Sequence, residues 1–167
     1  MRRLALVEAL GPLAGDPADA ATRLVDAVAA RRAFRERPTR RIPDLDAAVA
    51  ARLSATRMTV ADAQRIVARN LRPFEGGFAW RSDPRLTLPA SLRLGEDTIR
   101  AVLRAIRAPV LVIAADPPPA YFPAATREAR LACLADGRSV VIPGGHHVHM
   151  ERPDAVAAPL LDFFAAA

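Results

Sequence analysis

With 167 residues, 51% of them hydrophobic and 25% charged, the chain can form one domain with a sizeable core, and its composition argues against extensive disorder. The formal charge is +6 and all 24 basic residues are arginine, which together with the many alanines reads as a compositional bias of the source; no base-stacking pattern accompanies the densest run, 31–41, so no nucleic-acid partner is expected. The single cysteine excludes an internal disulfide, the opening apolar stretch is cut by Glu8 before it reaches secretory length, and no 18-residue apolar span follows, so a cytoplasmic protein with no membrane partner is expected.

In chain order, Leu4-Ala5-Leu6-Val7 predicts a short strand ended by Glu8 and the Gly11-Pro12 turn signal. Asp16-Pro17 opens a first helix, on which Leu24, Val25 and Val28 recur at helical spacing to about Phe34, and Pro38 and Pro43 break it. A second helix is predicted over 44–53. A third begins at Thr59, where Asp62 three positions on gives a start like a capping box and Val60, Ala63, Ile66, Val67 and Leu71 share a face. Residues 74–85, holding the only tryptophan, predict an irregular loop between helices.

A fourth helix over 96–106 leads through Pro109 into a nearly all-apolar strand, 110–114, as expected where helices cover both faces of a parallel sheet. The helical run 124–135, with Cys133 as a small core residue, crosses over to the β-branched strand 139–142 and completes a βαβ unit. The fold class is therefore α/β, with the strands at 4, 110 and 139 as neighbours.

The last of these strands runs into Pro143-Gly144-Gly145-His146-His147-Val148-His149-Met150-Glu151-Arg152-Pro153. Two glycines let the backbone turn sharply, Pro153 and Asp154 open a final helix over 155–164, and a histidine is left at the carboxyl end of a strand, well placed for proton transfer. A metal site built from His146, His147 and His149 is the weaker reading, because adjacent residues point different ways and no His-Glu-x-x-His or cysteine partner is present. No metal and no cofactor are expected.

A strand, Gly-Gly-His, a glutamate five positions past the histidine, a proline two further on and a helix ending in two phenylalanines resemble the C-terminal end of an α/β-hydrolase. With Ala108-Pro109-Val110-Leu111-Val112-Ile113, the string is most similar to the serine-hydrolase-like branch of that superfamily. The resemblance runs from Leu4 to the end and implies a partial fold, the last three parallel strands with a helical lid inserted after the first of them. Residues 1–15 and 94–167 would form the core and 16–93 the lid; the Trp80-Arg81-Ser82-Asp83-Pro84-Arg85 string is similar to one seen after the lid in this branch.

The resemblance implies that His146 is the catalytic base. The acid is Asp116, just past the strand ending at 114, or Glu8, at the end of the preceding strand; Asp116 is placed first. Trp80, Phe78 and His147 are the candidates for substrate contact, with packing onto the core the plain alternative for Trp80. The substrate would be small and apolar, carrying an ester, epoxide or similar bond.

A nucleophile elbow, Gly-x-Ser-x-Gly, is not found around Ser54, Ser82, Ser91 or Ser139, nor does Cys133 or Asp83 have that context. In the resemblance the nucleophile comes from strands before Leu4. The expectation is a truncated reading frame or fragment, inactive alone, whose open sheet edge is covered by a second chain or by self-association. A non-catalytic ligand- or partner-binding module derived from the same fold is the alternative.

Overall fold

The computed structural model describes residues 2–35 and 37–166; Met1, Glu36 and Ala167 lie outside the described residues, so the basic run 31–41 is described except at 36. Strand β1 (Leu4–Val7) is followed by a 3-10 turn (Pro17–Asp19) and helix α1 (Ala20–Arg35). Helices α2 (Leu45–Ala55) and α3 (Val60–Asn70) begin at the residues whose side chains can cap them. Asp44 accepts from the Ala47 amide at 2.8 Å, and Thr59 Oγ1 from the Asp62 amide at 3.1 Å, each satisfying an amide that the first turn leaves without a partner.

The expected irregular loop after α3 is instead an antiparallel hairpin of β2 (Leu71–Phe74) and β3 (Gly77–Trp80). Its turn needs positive φ twice, and Glu75 (φ 48°) and Gly76 (φ 69°) provide it in a form less recognisable than Asn-Gly. Pro73 also argues against a strand, but a short hairpin tolerates it at an edge. Gly77 admits a third chain segment. A Cβ there would lie 2.5 Å from the Ile42 carbonyl, and its absence lets Ile42 and Phe78 exchange two 2.8 Å backbone hydrogen bonds.

Helix α4 (Glu96–Arg104), strand β4 (Val110–Asp116), helix α5 (Ala124–Leu131), strand β5 (Gly137–Pro143), the helical turn α6 (Val148–Glu151) and helix α7 (Pro153–Ala165) complete the chain. Helix α5 stops short of the predicted end. Cys133 lies just beyond it in a tightened turn, its amide bonded to the Arg130 carbonyl at 3.0 Å, rather than in a helix.

The residues divide into two compact units, Met1–Pro17 with Arg93–Ala167, and Ala18–Leu92. The first holds a parallel sheet in the order β1-β4-β5, with Leu4 opposite Val110 and Val110 opposite Gly137, so the three strands start together; β1 ends at Val7 opposite Ile113, three residues before β4 and β5 end at the paired Asp116 and Pro143. Strand β4 feeds both faces. Leu111, Ile113 and Ala115 pack with Ile142, Val148, Val156 and Phe163, whereas Val110 and Val112 pack with Leu10, Ile99, Leu103 and Leu134. That double burial is why β4 reads as an unbroken apolar run rather than an alternation. Each such aliphatic side chain contributes about 1.5–3 kcal/mol.

In the second unit, α2, α3 and the hairpin close over Ile42, Ala48, Val49, Ala63, Val67 and Leu71, with Phe78 and Trp80 packed against them. Helix α1 buries only Ala27. Among the described residues no helix is long and apolar enough to cross a membrane.

Candidate functional site

Because the three strands are parallel and in register, their carboxyl ends deliver three loops to one edge of the sheet. After β1 the chain turns through Glu8, whose φ of 53° is rare for a residue with a side chain. Its amide still pairs with the Ile113 carbonyl at 2.8 Å, so the carboxylate is thrown sideways over the end of β4. There Oε1 accepts the Ala115 amide and Oε2 lies 3.2 Å from His146 Nδ1. The Glu8 side chain is 6% exposed, that of His146 44%.

The histidine is presented by the loop after β5. Gly144 donates its amide to the Asp116 carbonyl at 3.0 Å, and Gly145 donates to Glu151 Oε2 at 2.8 Å. The two glycines are needed for room: a Cβ on Gly144 would sit 3.0 Å from Glu151 Oε2, and one on Gly145 2.9 Å from Oε1. Glu151 therefore folds back from α6 into the space they leave and braces the turn on which His146 stands.

A carboxylate at Nδ1 has a definite chemical effect. It favours the tautomer in which Nδ1–H donates to Glu8, leaving Nε2 as the basic nitrogen, and it stabilises the imidazolium formed when Nε2 takes a proton. Tyr121 meets the His146 ring edge-on, with centroids 6.0 Å apart and planes at 82°. Burial first, and then the Glu8 charge, push the Tyr121 phenol above its ordinary pKa, so it stays a neutral hydroxyl beside the imidazole. His147 and His149 continue the row of rings at 5.2 and 5.9 Å. Among the described residues no group of three or more histidines, cysteines or acids is arranged to hold a metal.

The two acids left open by the sequence are separated by this geometry, which brings one of them to the histidine. Glu8 reaches His146; Asp116 is exposed, its carbonyl takes the Gly144 amide, and its carboxylate joins no hydrogen bond or ion pair among the described residues. The reason is the turn at Glu8, which only the folded backbone reveals. His147 adjoins His146 in the loop, while Phe78 and Trp80 stand in β3 and pack on the core of the second unit. Of the serines, Ser54 donates to the Ala51 carbonyl inside α2, Ser82 exchanges hydrogen bonds with Asn70, and Ser139 lies within β5 opposite Val112. Tyr121 and the brace Glu151 escape sequence reasoning. The spacing of Glu151 from the histidine was visible, but not its contact with the Gly145 amide.

No protein-family model matches the chain. Among curated proteins it is 31% identical over 88 residues to a serine hydrolase-like protein of Dictyostelium discoideum, a stretch covering 50% of this chain and 24% of that protein. Among solved structures it superposes on a hypothetical protein from Pseudomonas aeruginosa with a TM-score of 0.82 and 32% identity, over 99% of this chain and 58% of the other. It also superposes on the thioesterase domain from the curacin biosynthetic pathway (TM-score 0.74, 20% identity, 97% of this chain and 58% of that one). A third match is E-2-(acetamidomethylene)succinate hydrolase (TM-score 0.71, 13% identity, 99% and 58%). The likenesses to the two named enzymes are of fold alone. The chain spans about a quarter of the curated relative, 24%, and 58% of each of these solved chains.

Proposed function

We propose that this chain, similar in fold and sequence to the α/β-hydrolase superfamily and to its serine hydrolase-like branch, carries the base and the acid of a hydrolytic site. The observation that carries the reading is the 3.2 Å approach of His146 Nδ1 to the nearly buried carboxylate of Glu8 at the carboxyl edge of a parallel sheet. In the reaction, Nε2 of His146 accepts the proton of a hydroxyl or water as it attacks the substrate carbonyl or an equivalent electrophile. Glu8 stabilises the resulting imidazolium, and the same proton passes from Nε2 to the leaving group.

In this reading the chain is the later part of the fold. Its last three parallel strands hold the site, residues 16–93 form a lid that selects a small apolar ester, epoxide or similar compound, and the nucleophile comes from outside these 167 residues. Strand β1 is an edge of the sheet among the described residues, and its free side is where a further segment, a second polypeptide or a second copy would pair. The alternative is a binding module without chemistry. It is favoured by the engagement of the Ser54 and Ser82 hydroxyls in hydrogen bonds elsewhere in the structure.

Hydrolysis of short-chain p-nitrophenyl esters, measured for the 167-residue chain alone and co-expressed with the reading frame upstream of Met1, decides between them. The pair is expected to hydrolyse the esters and the chain alone to be silent, with activity lost in His146→Ala. Activity of the pair that survives His146→Ala would overturn the proposal, and a silent pair that still binds such esters favours the binding module.

A further inference from the structure

We infer that the second unit contains a binding site for an amphipathic anion, an apolar chain ending in a carboxylate or phosphate. A cleft of about 710 Å³, partly open to solvent, is lined entirely by residues of Ala18–Leu92 and falls within the size range of small-molecule sites. One part of its wall is apolar, with Ala30, Phe34, Trp80, Leu86 and Leu88, and Leu86 is 79% exposed, a large aliphatic group left in water. The same lining carries three arginines, Arg37, Arg40 and Arg72, none of which forms an ion pair among the described residues.

The one carboxylate on that wall among the described residues does not neutralise them. Asp83 is occupied by Arg85, whose Nε lies 3.0 and 2.9 Å from its two oxygens, and this hydrogen bonding holds its carboxyl below the ordinary range. The charge of the whole chain is concentrated here. Residues 18–92 hold 14 arginines and 8 acids, whereas the other unit holds 10 of each, so the net +6 belongs to the second unit. A neutral oil would leave the guanidinium groups without counter-charge and a simple anion would leave the apolar wall wet. A ligand with both parts serves both. The inference does not depend on His146 or on any reaction.

Trp80 is the only tryptophan and lines the cleft, so its fluorescence reports occupancy directly. Dodecanoate, dodecyl phosphate and uncharged dodecanol are titrated, below their aggregation limits, into the full chain. Both anions are expected to change the Trp80 emission saturably, with dodecanol binding about tenfold or more weakly. In Arg40→Gln/Arg72→Gln the two anions fall to the level of dodecanol, and in Leu86→Ser all three weaken; the substituted residues are exposed, and circular dichroism checks that the fold is kept. The ratio of the two anions tells carboxylate from phosphate. No saturable response, dodecanol binding as tightly as the anions, or an arginine variant that binds like the parent would each overturn the site. Failure of ester hydrolysis leaves this result untouched, because the assay reads binding alone.

Discussion

Arg130 of α5, only 1% exposed, grips Glu96 of α4 with Nη2 2.7 Å from Oε2, while its Nη1 reaches the carbonyls of Leu10 and Pro12 at 2.8 and 2.9 Å. The guanidinium also lies over the Phe122 ring at 5.2 Å. One buried cation thus ties two helices to the loop that follows Glu8, and to the residue next to Tyr121. It belongs to the scaffold that holds the histidine site, not to the chemistry.

Glu96→Gln tests that scaffold by removing the charge and keeping the shape. The guanidinium of Arg130 is left buried without its counter-ion, a loss of about 3 kcal/mol, the lower end for a broken buried pair because the Glu96 side chain is 27% exposed. Urea unfolding should show a lower midpoint with an unchanged slope. A midpoint equal to that of the parent would mean that water replaces the carboxylate at no cost.

The same pair sets a pH dependence. The hydrogen bond from Arg130, helped by Arg100, holds the Glu96 carboxyl below its ordinary pKa against the opposing effect of burial. A depressed carboxylate contributes stability that is complete above its unfolded pKa, about 4.3, and fades as the pH falls through the lower folded value. The melting temperatures of the parent and Glu96→Gln should therefore differ at neutral pH and converge in acid. A constant gap down to pH of about 2 would contradict the linkage.

The hairpin offers a comparison of two adjacent glycines. Gly77→Ala places a Cβ 2.5 Å from the Ile42 carbonyl and must break the Ile42–Phe78 exchange, for about 1–3 kcal/mol. Gly76→Ala meets nothing within 4 Å and suffers only the strain of φ 69°, about 1–2 kcal/mol. Amide hydrogen exchange should show lost protection at Ile42 and Phe78 in Gly77→Ala alone. Equal loss in both variants would assign the effect to the turn.

What the sequence discloses is what short-range chemistry determines. The apolar runs at β1, β4 and β5 gave the sheet and its neighbours, and Asp44 and Thr59 marked their helix starts because a cap acts on amides two or three residues away. The hairpin stayed hidden since Pro73 argues against a strand and its third partner, Ile42, lies 36 residues before Phe78 in sequence. Arg130 reads as one more solvated helix charge until the fold brings Leu10, Pro12 and Glu96 around it. The place of His146 after β5 was legible from Gly-Gly-His, but which of the two acids it meets was not: Glu8 and His146 are 138 positions apart, and a left-handed backbone at Glu8 determines the meeting.

Glu8→Gln and Asp116→Asn together separate the two acids by function. Glutamine keeps the size of Glu8 and can still accept from the Ala115 amide, but it no longer supplies the charge that stabilises an imidazolium or enforces Nδ1–H on His146. For the proposed hydrolase, assembled with its nucleophile, kcat should fall by about 10³–10⁴-fold, with KM little changed, whereas Asp116→Asn should stay within about threefold of the parent. Long-range ¹H–¹⁵N spectra of the imidazole read the same difference without turnover. The Nδ1–H tautomer of neutral His146 should dominate in the parent and in Asp116→Asn, and give way to a mixture in Glu8→Gln. Loss of activity and of the tautomer in Asp116→Asn, with Glu8→Gln unaffected, would transfer the acid's role to Asp116.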